Sequence, residues 1–505
     1  MKLLENTKFI LLMLIFLSLI SIDYNIKIIN SDLLMIGPSV EKMLDNSLYI
    51  NDPTITTHKQ IYPDGFKYLI LLFTLITKNQ TISNLILAII FKIFFVLAIY
   101  KLLLYLLKDK KQAFLGAAIS VLTYHGIPGW QFGISQIVAQ MLVDTFYPLM
   151  FYLTFISLKN IKYIYYVFII TGILFYIHPL STPPLLLFIF IIFILYARKE
   201  YKHFILAGLL FLLIISPAII KSKSATFYKN DPLYFNIIEK RVSEVHFPEL
   251  SFGTIKLIII LFLGLLGYYF KEEKTKEDKA ILYWALSLII VFFILSILMK
   301  KFKLLYSIEP TRYPRFLILF SFIYIAPLLK KLKKISIIIP LAIISLLFIL
   351  SWQFSHIFLI LPGVNNIFCN SLNNTKDVWS CMPQEQKITY PNSVKQVCEW
   401  LKNNTQKDDV IIVPLAWGER YRYCSKRAIV TSWKDGGISV LSREAAFNWL
   451  YRYNLVNDAY SNSSIQIFRE IKYKYNTNYI ITENLQELNF TVLYKNNNSY
   501  IYKID

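Results

Sequence analysis

Residues 82–111 read ISNLILAIIFKIFFVLAIYKLLLYLLKDKK, an apolar run carrying only Lys92 and Lys101 as charges and closed by Lys108, Lys110 and Lys111. A helix of about 20 apolar residues spans the hydrocarbon core of a bilayer, and lysines gather at its cytoplasmic end. Working outward, similar runs lie at 9–24, 139–158, 163–177, 183–197, 203–220, 253–270, 280–299, 315–329 and 335–356, with a weaker one at 112–128. Together they predict a polytopic α-helical membrane protein with about eleven crossings. The composition agrees: 56% of the 505 residues are hydrophobic, 17% are charged, and the mean hydropathy is +0.49. A net charge of +21 would suggest nucleic acid if it lay on one polar face. Here it is split into short clusters between apolar runs, so no nucleic-acid partner is expected.

Phe66–Ile76 is apolar but too short to cross, and reads as an interfacial helix inside a first outer loop at 25–81. With this segment uncounted and the N-terminus inside, the cytoplasmic loops carry Lys108, Lys110, Lys111, Lys159, Lys162, Arg198 and Lys199, and later Lys271, Lys274, Lys330 and Lys331. The outer loops at 125–138 and 178–182 carry no Lys or Arg. This is the positive-inside pattern. The loop at 300–314, with Lys300, Lys301, Lys303 and Arg312, is the exception. The first run has no small-residue cleavage site and reads as an uncleaved signal anchor.

From residue 362 the chain becomes polar, giving a membrane domain at 1–361 and a soluble extracytoplasmic α/β domain at 362–505. All four cysteines, Cys369, Cys381, Cys398 and Cys424, fall in the second part, which fits an oxidising compartment and up to two disulfides with three alternative pairings. Glycosylation sequons beginning at Asn79, Asn373, Asn403, Asn462, Asn489 and Asn497 all fall on the outer side. Ser393–Gln396 has a capping-box pattern. Strands are expected at 410–413, 428–430, 479–481, 490–494 and 500–503, and helices at 441–454 and 463–473.

A signal-anchor helix, an acidic outer loop, the segment Tyr62-Pro-Asp-Gly-Phe-Lys-Tyr68 and a long span ending in lysines follow one another here. This order resembles the C-type (GT-C) membrane glycosyltransferases. The stretches Leu44–Pro53, His178–Ser181 and Arg427–Asp435 resemble, more specifically, a group of uncharacterised prokaryotic membrane proteins of the same layout. The resemblance implies transfer of a sugar from a polyprenyl-phosphate-linked donor to a glycan, lipid or protein acceptor on the outer face, with the catalytic acid in the first outer loop. The Trp-Trp-Asp-Tyr-Gly motif of the oligosaccharyltransferases in that superfamily is absent, which argues against protein asparagine as the acceptor.

Sugar transfer needs a carboxylate to take the acceptor proton and cations to stabilise the departing phosphate. Asp32 and Asp52 in the first outer loop are the candidate bases, and would also hold Mg²⁺ or Mn²⁺ if a divalent metal takes part. Solvated loop carboxylates with no such role are the plainer alternative. Arg312 and Arg315, with Lys92, are the candidates for the donor phosphate; contact with phospholipid headgroups would equally explain the two arginines. Asp144 and Lys92 lie within spans, where a charge costs at least about 2.5 kcal/mol, so each needs a partner or a polar cavity. His178, Asp144, Trp417 and Arg420 are the candidate substrate contacts, the last two following a strand whose carboxyl end suits a ligand. The rival functions are a non-catalytic protein that binds or presents envelope glycans or lipids, and a transporter, against which the missing internal repeat counts.

Overall fold

The computed structural model describes residues 6–22, 31–56, 65–122, 138–223, 231–246, 252–302, 310–350, 392–440, 442–483 and 486–505. The helices in chain order begin with α1 (Thr7–Ile20), α2 (Ser31–Leu44), α3 (Gly65–Thr77), α4 (Gln80–Leu107), α5 (Lys110–Leu122) and α6 (Ala139–Ser157). There follow α7 (Tyr163–Ile177), α8 (Pro183–Tyr196), α9 (Tyr201–Lys223), α10 (Pro232–His246), α11 (Phe252–Phe270) and α12 (Lys276–Lys301). Next come α13 (Leu317–Lys333) and α14 (Ile338–Leu350). The C-terminal part runs α15 (Asn392–Asn404), β1 (Val410–Ile412), α16 (Glu419–Ser425), β2 (Ala428–Ile429), α17 (Arg443–Ser461), α18 (Ile465–Tyr475), β3 (Thr477–Glu483), β4 (Thr491–Lys495) and β5 (Ser499–Lys503).

Four helical segments among the described residues are long and apolar enough to cross a membrane: Gln80–Leu107, Pro179–Tyr196, Arg198–Ile220 and Lys276–Leu298. By that measure the expected eleven crossings are not reached. Several of the apolar runs form helices below that length, such as Thr7–Ile20 with 14 residues and Tyr163–Ile177 with 15.

The contacts divide the chain differently from a single boundary at 361/362. One unit comprises Met1–Tyr24, Ile82–Ala218 and Val242–Cys381; the other comprises Asn25–Thr81, Ile219–Arg241 and Met382–Asp505. Asn25–Thr81 and most of α10 therefore cluster with the C-terminal sheet. In the helical unit the tightest pair is α11 with α13. A Cβ on Gly267 would lie 2.0 Å from the Tyr324 carbonyl oxygen, and one on Gly264 would lie 2.8 Å from Ser321 Cα, so small residues let the two backbones meet.

In the other unit the sheet order is β2-β1-β3-β5-β4. β1 lies parallel to β2 and β3, and β5 lies antiparallel to β3 and β4. Alternation along β1 sends Val410 and Ile412 to one face, packed with Phe468 and Ile471 of α18. Ile411 and Val413 point to the other face, against Val394, Val397 and Leu401 of α15 and Tyr421 of α16. Period-2 burial between two helical layers is what a buried parallel strand requires.

The five strands and the helices α17 and α18 lie where the sequence places them, within two residues or so at most boundaries. α2 and α16 are absent from the sequence reading. Ser393 lies inside α15, which already includes Asn392, so its capping-box pattern does not mark the helix start. α3 covers the apolar segment Phe66–Ile76, with Tyr68, Leu72, Leu75 and Ile76 exposed along one stripe and Phe66, Ile70 and Thr74 buried. Cys398 and Cys424 form a disulfide joining α15 to α16. Cys369 and Cys381, and the segment 57–64 with Asp64, lie outside the described residues.

Candidate functional site

The sheet-bearing unit is organised around one guanidinium. Arg422 on α16 donates from Nε to Asp52 Oδ2 at 2.7 Å. It grips Asp435 with both Nη atoms, at 2.8 and 2.9 Å. All three side chains have no exposure to solvent. Asp52 precedes Pro53 and caps the helical turn at residues 53–56, its Oδ1 accepting the N–H groups of Thr54 and Ile55 at 3.0 and 2.9 Å. Its Oδ2 also accepts the Ile429 N–H of β2 at 3.1 Å. Asp435 accepts the Ser432 N–H at 2.8 Å. Burial works against the Asp435 carboxylate, but Arg422 outweighs it and holds the group below its ordinary value. Arg422 is likewise pushed up, against its own desolvation, by the two carboxylates.

Asp52 is thus fully committed as a structural anchor. The same geometry does not fit a divalent cation there, since the oxygen left by the two turn N–H groups already faces a guanidinium and another N–H. No group of three or more His, Cys, Asp or Glu among the described residues is placed to hold a metal ion.

Asp32 is different. It stands in the first turn of α2, 46% exposed, with one carboxylate oxygen 2.6 Å from Lys434 Nζ. α2 reaches α16 closely: a Cβ on Gly37 would lie 2.4 Å from the Tyr423 ring. Glu41 on α2 accepts from Tyr49 Oη at 2.6 Å and from Lys426 at 2.7 Å. Trp417, in the turn after β1, is 44% exposed and adopts φ 60°, a left-handed conformation rare for a bulky residue. Arg420 is tied to Glu483, to which the Tyr421 hydroxyl also donates. Beside these, Glu419 is 3% exposed and its Oε2 has no hydrogen-bond partner among the described residues; burial pushes its carboxyl up.

The helical unit holds a second polar cluster. Arg315, in the 3₁₀ segment Pro310–Phe316, donates to Asp144 Oδ1 at 3.2 Å and to Ser181 Oγ at 2.7 Å. Ser181 Oγ is also 2.7 Å from His178 Nδ1, and the Tyr147 hydroxyl donates to the Ser181 carbonyl at 2.5 Å. The charge expected to need a partner in α6, Asp144, thus has one in Arg315. Lys92 of α4 is 2% exposed. Arg312 belongs to the same 3₁₀ segment, but its side chain lies outside the described residues.

Sequence reasoning reached Arg422, Asp435, Lys434, Glu419 and Ser181 only within the stretches Trp417–Tyr423, Trp433–Asp435 and His178–Ser181, and gave none of them a role of its own. One local signal was available. Asp before Pro is the signature of an N-cap with proline at the first helical position, which favours an architectural reading of Asp52 over a catalytic one.

Residues 392–456 match a domain of unknown function, DUF6798. No curated protein sequence matches the chain. The fold is similar to that of the Archaeoglobus fulgidus oligosaccharyltransferase, in the crystal structure tethered through a disulfide bond to an acceptor peptide containing the NVT sequon. The TM-score is 0.53 at 12% identity, over 94% of this chain and 68% of that one. A structure of that enzyme in complex with Zn and sulfate gives a TM-score of 0.48 at 11% identity, over the same shares of the two chains. At such identity the likeness is one of fold.

Proposed function

We propose that this chain is a multi-pass membrane glycosyltransferase that moves a sugar from a polyprenyl-phosphate-linked donor to an acceptor on the outer face of the membrane. Its N-terminus is cytoplasmic and its sheet-bearing unit extracytoplasmic. The observation that carries the reading is the oligosaccharyltransferase-like fold over 94% of the chain, with apolar helices long enough to cross a bilayer as its complement. Asp32 is the base: half-exposed at the start of α2, it takes the acceptor proton as the acceptor oxygen bonds to the anomeric carbon. The phosphate leaves with the bonding pair, and Arg312, Arg315 and Lys92 are the cations assigned to its charge. Asp52 holds the first outer loop in place through Arg422, and Trp417 offers an exposed ring to a sugar or peptide acceptor.

Reconstitution of the purified protein with lipid-linked sugars tests this. Asp32→Asn abolishes transfer while leaving the melting temperature within a degree or two, because an exposed ion pair contributes about 0–1 kcal/mol. Asp52→Asn lowers both. Transfer by Asp32→Asn at the wild-type rate removes Asp32 from catalysis.

The alternative, a non-catalytic protein that binds glycans or lipids, is favoured by the state of Arg315, which is 1% exposed and already paired with Asp144. Absence of transfer by the wild type from every lipid-linked donor would favour it.

A further inference from the structure

The basic end of the helical unit contains a pocket of about 240 Å³ where the ends of α4, α11 and α13 meet the start of α5 and the 271–275 link. Lys108, Lys271, Lys330, Lys331 and Lys334 line it, together with Glu272 and Glu273, leaving a net of three positive charges. Leu106, Leu107, Phe270 and Pro327 give it an apolar wall.

The lysines differ in what already occupies them. Lys271 is paired with the fully buried Asp278 at 2.5 Å and also donates to the Leu106 carbonyl. Lys330 stands 3.6 Å from Asp109, and Lys334 stands 3.4 Å from Glu272, both largely exposed. The side chains of Lys108 and Lys331 have no hydrogen-bond or ion-pair partner among the described residues. Lys108 also sits at φ 52° in the position that closes α4, its N–H bonded to the Leu104 carbonyl at 3.0 Å. Glycine is the usual residue there, so this lysine stands against a backbone preference.

Complementing helix ends accounts for lysines in a last turn. It does not account for a cavity between those ends that is cationic on one side and apolar on the other. We propose that this pocket binds a phosphate-bearing group, with the lysines on the phosphate and the apolar wall on the carbon attached to it. Basic pockets between membrane helices take anionic headgroups in this way, and the ammonium groups act as point charges on the oxygens. Two sources share this chemistry: the headgroup of an anionic phospholipid and free inorganic phosphate. The apolar wall favours the lipid.

The test uses the full-length protein in nanodiscs of phosphatidylcholine with or without phosphatidylglycerol, reading retained lipid by native mass spectrometry and stability by thermal melting. Wild type retains phosphatidylglycerol preferentially and melts higher with it. Lys331→Gln and Lys108→Gly each weaken that retention about fivefold, whereas Lys333→Gln, exposed and outside the pocket, does not. Lys108→Gly relaxes the left-handed backbone, so its melting temperature in pure phosphatidylcholine does not fall, and its loss of lipid is not a folding defect. Inorganic phosphate that displaces phosphatidylglycerol and reproduces the stabilisation identifies the free ion as a sufficient ligand; failure to displace it identifies the lipid. The proposal is overturned if neither ligand is retained, or if the pocket variants and Lys333→Gln weaken retention equally.

Discussion

Arg422→Met is the most informative perturbation of the sheet-bearing unit. Methionine keeps the length of the side chain and removes five N–H donors together with the charge. Asp52 and Asp435 are then left with no exposure and no guanidinium. Removing one partner of a buried ion pair costs about 3–5 kcal/mol, since the remaining charge is stranded. Two features move the value in opposite directions. Arg452 lies near enough to Asp435 to lower its carboxyl, which softens the loss, while two carboxylates depend on Arg422, which deepens it. For a unit of about 200 residues, each kcal/mol moves the midpoint by about 2–4 °C, so a fall of about 6–20 °C is expected. Differential scanning fluorimetry of the detergent-solubilised protein reads it, with limited proteolysis reporting whether residues 31–56 have been released. Combining Arg422→Met with Asp52→Asn and Asp435→Asn removes the stranded charges and recovers part of the loss. A midpoint within about 2 °C of wild type for Arg422→Met alone would refute the reasoning, because a buried anchor of this kind cannot be lost without cost.

Three further outcomes follow from the same unit. The folded-state carboxyl of Asp435 lies below its ordinary value of 3.8, so its contribution is complete above that value and is lost as pH falls through the folded pKa; melting between pH 7 and 3 shows a drop below about pH 4 that Asp435→Asn flattens, and an unchanged slope in that variant discards the assignment. Glu419 is shifted the other way, above 4.5, so its ionisation costs stability as pH rises through the folded pKa. Glu419→Gln raises the melting temperature at pH 7 and leaves it unchanged at pH 4; equal effects at both would show that burial of the charge is not the cause. Cys398→Ser with Cys424→Ser opens a cross-link between residues 26 apart, for which loop-closure entropy gives about 3–4 kcal/mol. A chemical-denaturation midpoint equal to that of the wild type would contradict it.

Two of the three stretches that carried the resemblance, Leu44–Pro53 and Arg427–Asp435, turn out to be one structure. Asp52 of the first and Asp435 of the second close on the same guanidinium, and Asp52 also accepts the Ile429 N–H at a sequence separation of 377. Nothing local marks Arg422 as their common partner. In Arg420-Tyr-Arg422-Tyr the two arginines look alike, yet one pairs with Glu483 and the other with Asp52 and Asp435. Asp32 and Asp52 differ in the sequence only by the proline that follows Asp52, yet they are opposite in the structure, one half-exposed beside Lys434 and the other sealed.

By itself the sequence determined that the chain carries helices apolar enough for a membrane, and the secondary structure of its C-terminal part. Apolar run length and period-2 or period-3.6 burial are local properties, written within some twenty residues and enforced by solvent alone. Tertiary structure alone decided that residues 25–81 join the sheet, that α2 and α16 are helices, and which charges are neutralised. Those outcomes depend on pairing energies between residues hundreds of positions apart, where burial makes one partner indispensable to another and leaves no periodicity behind.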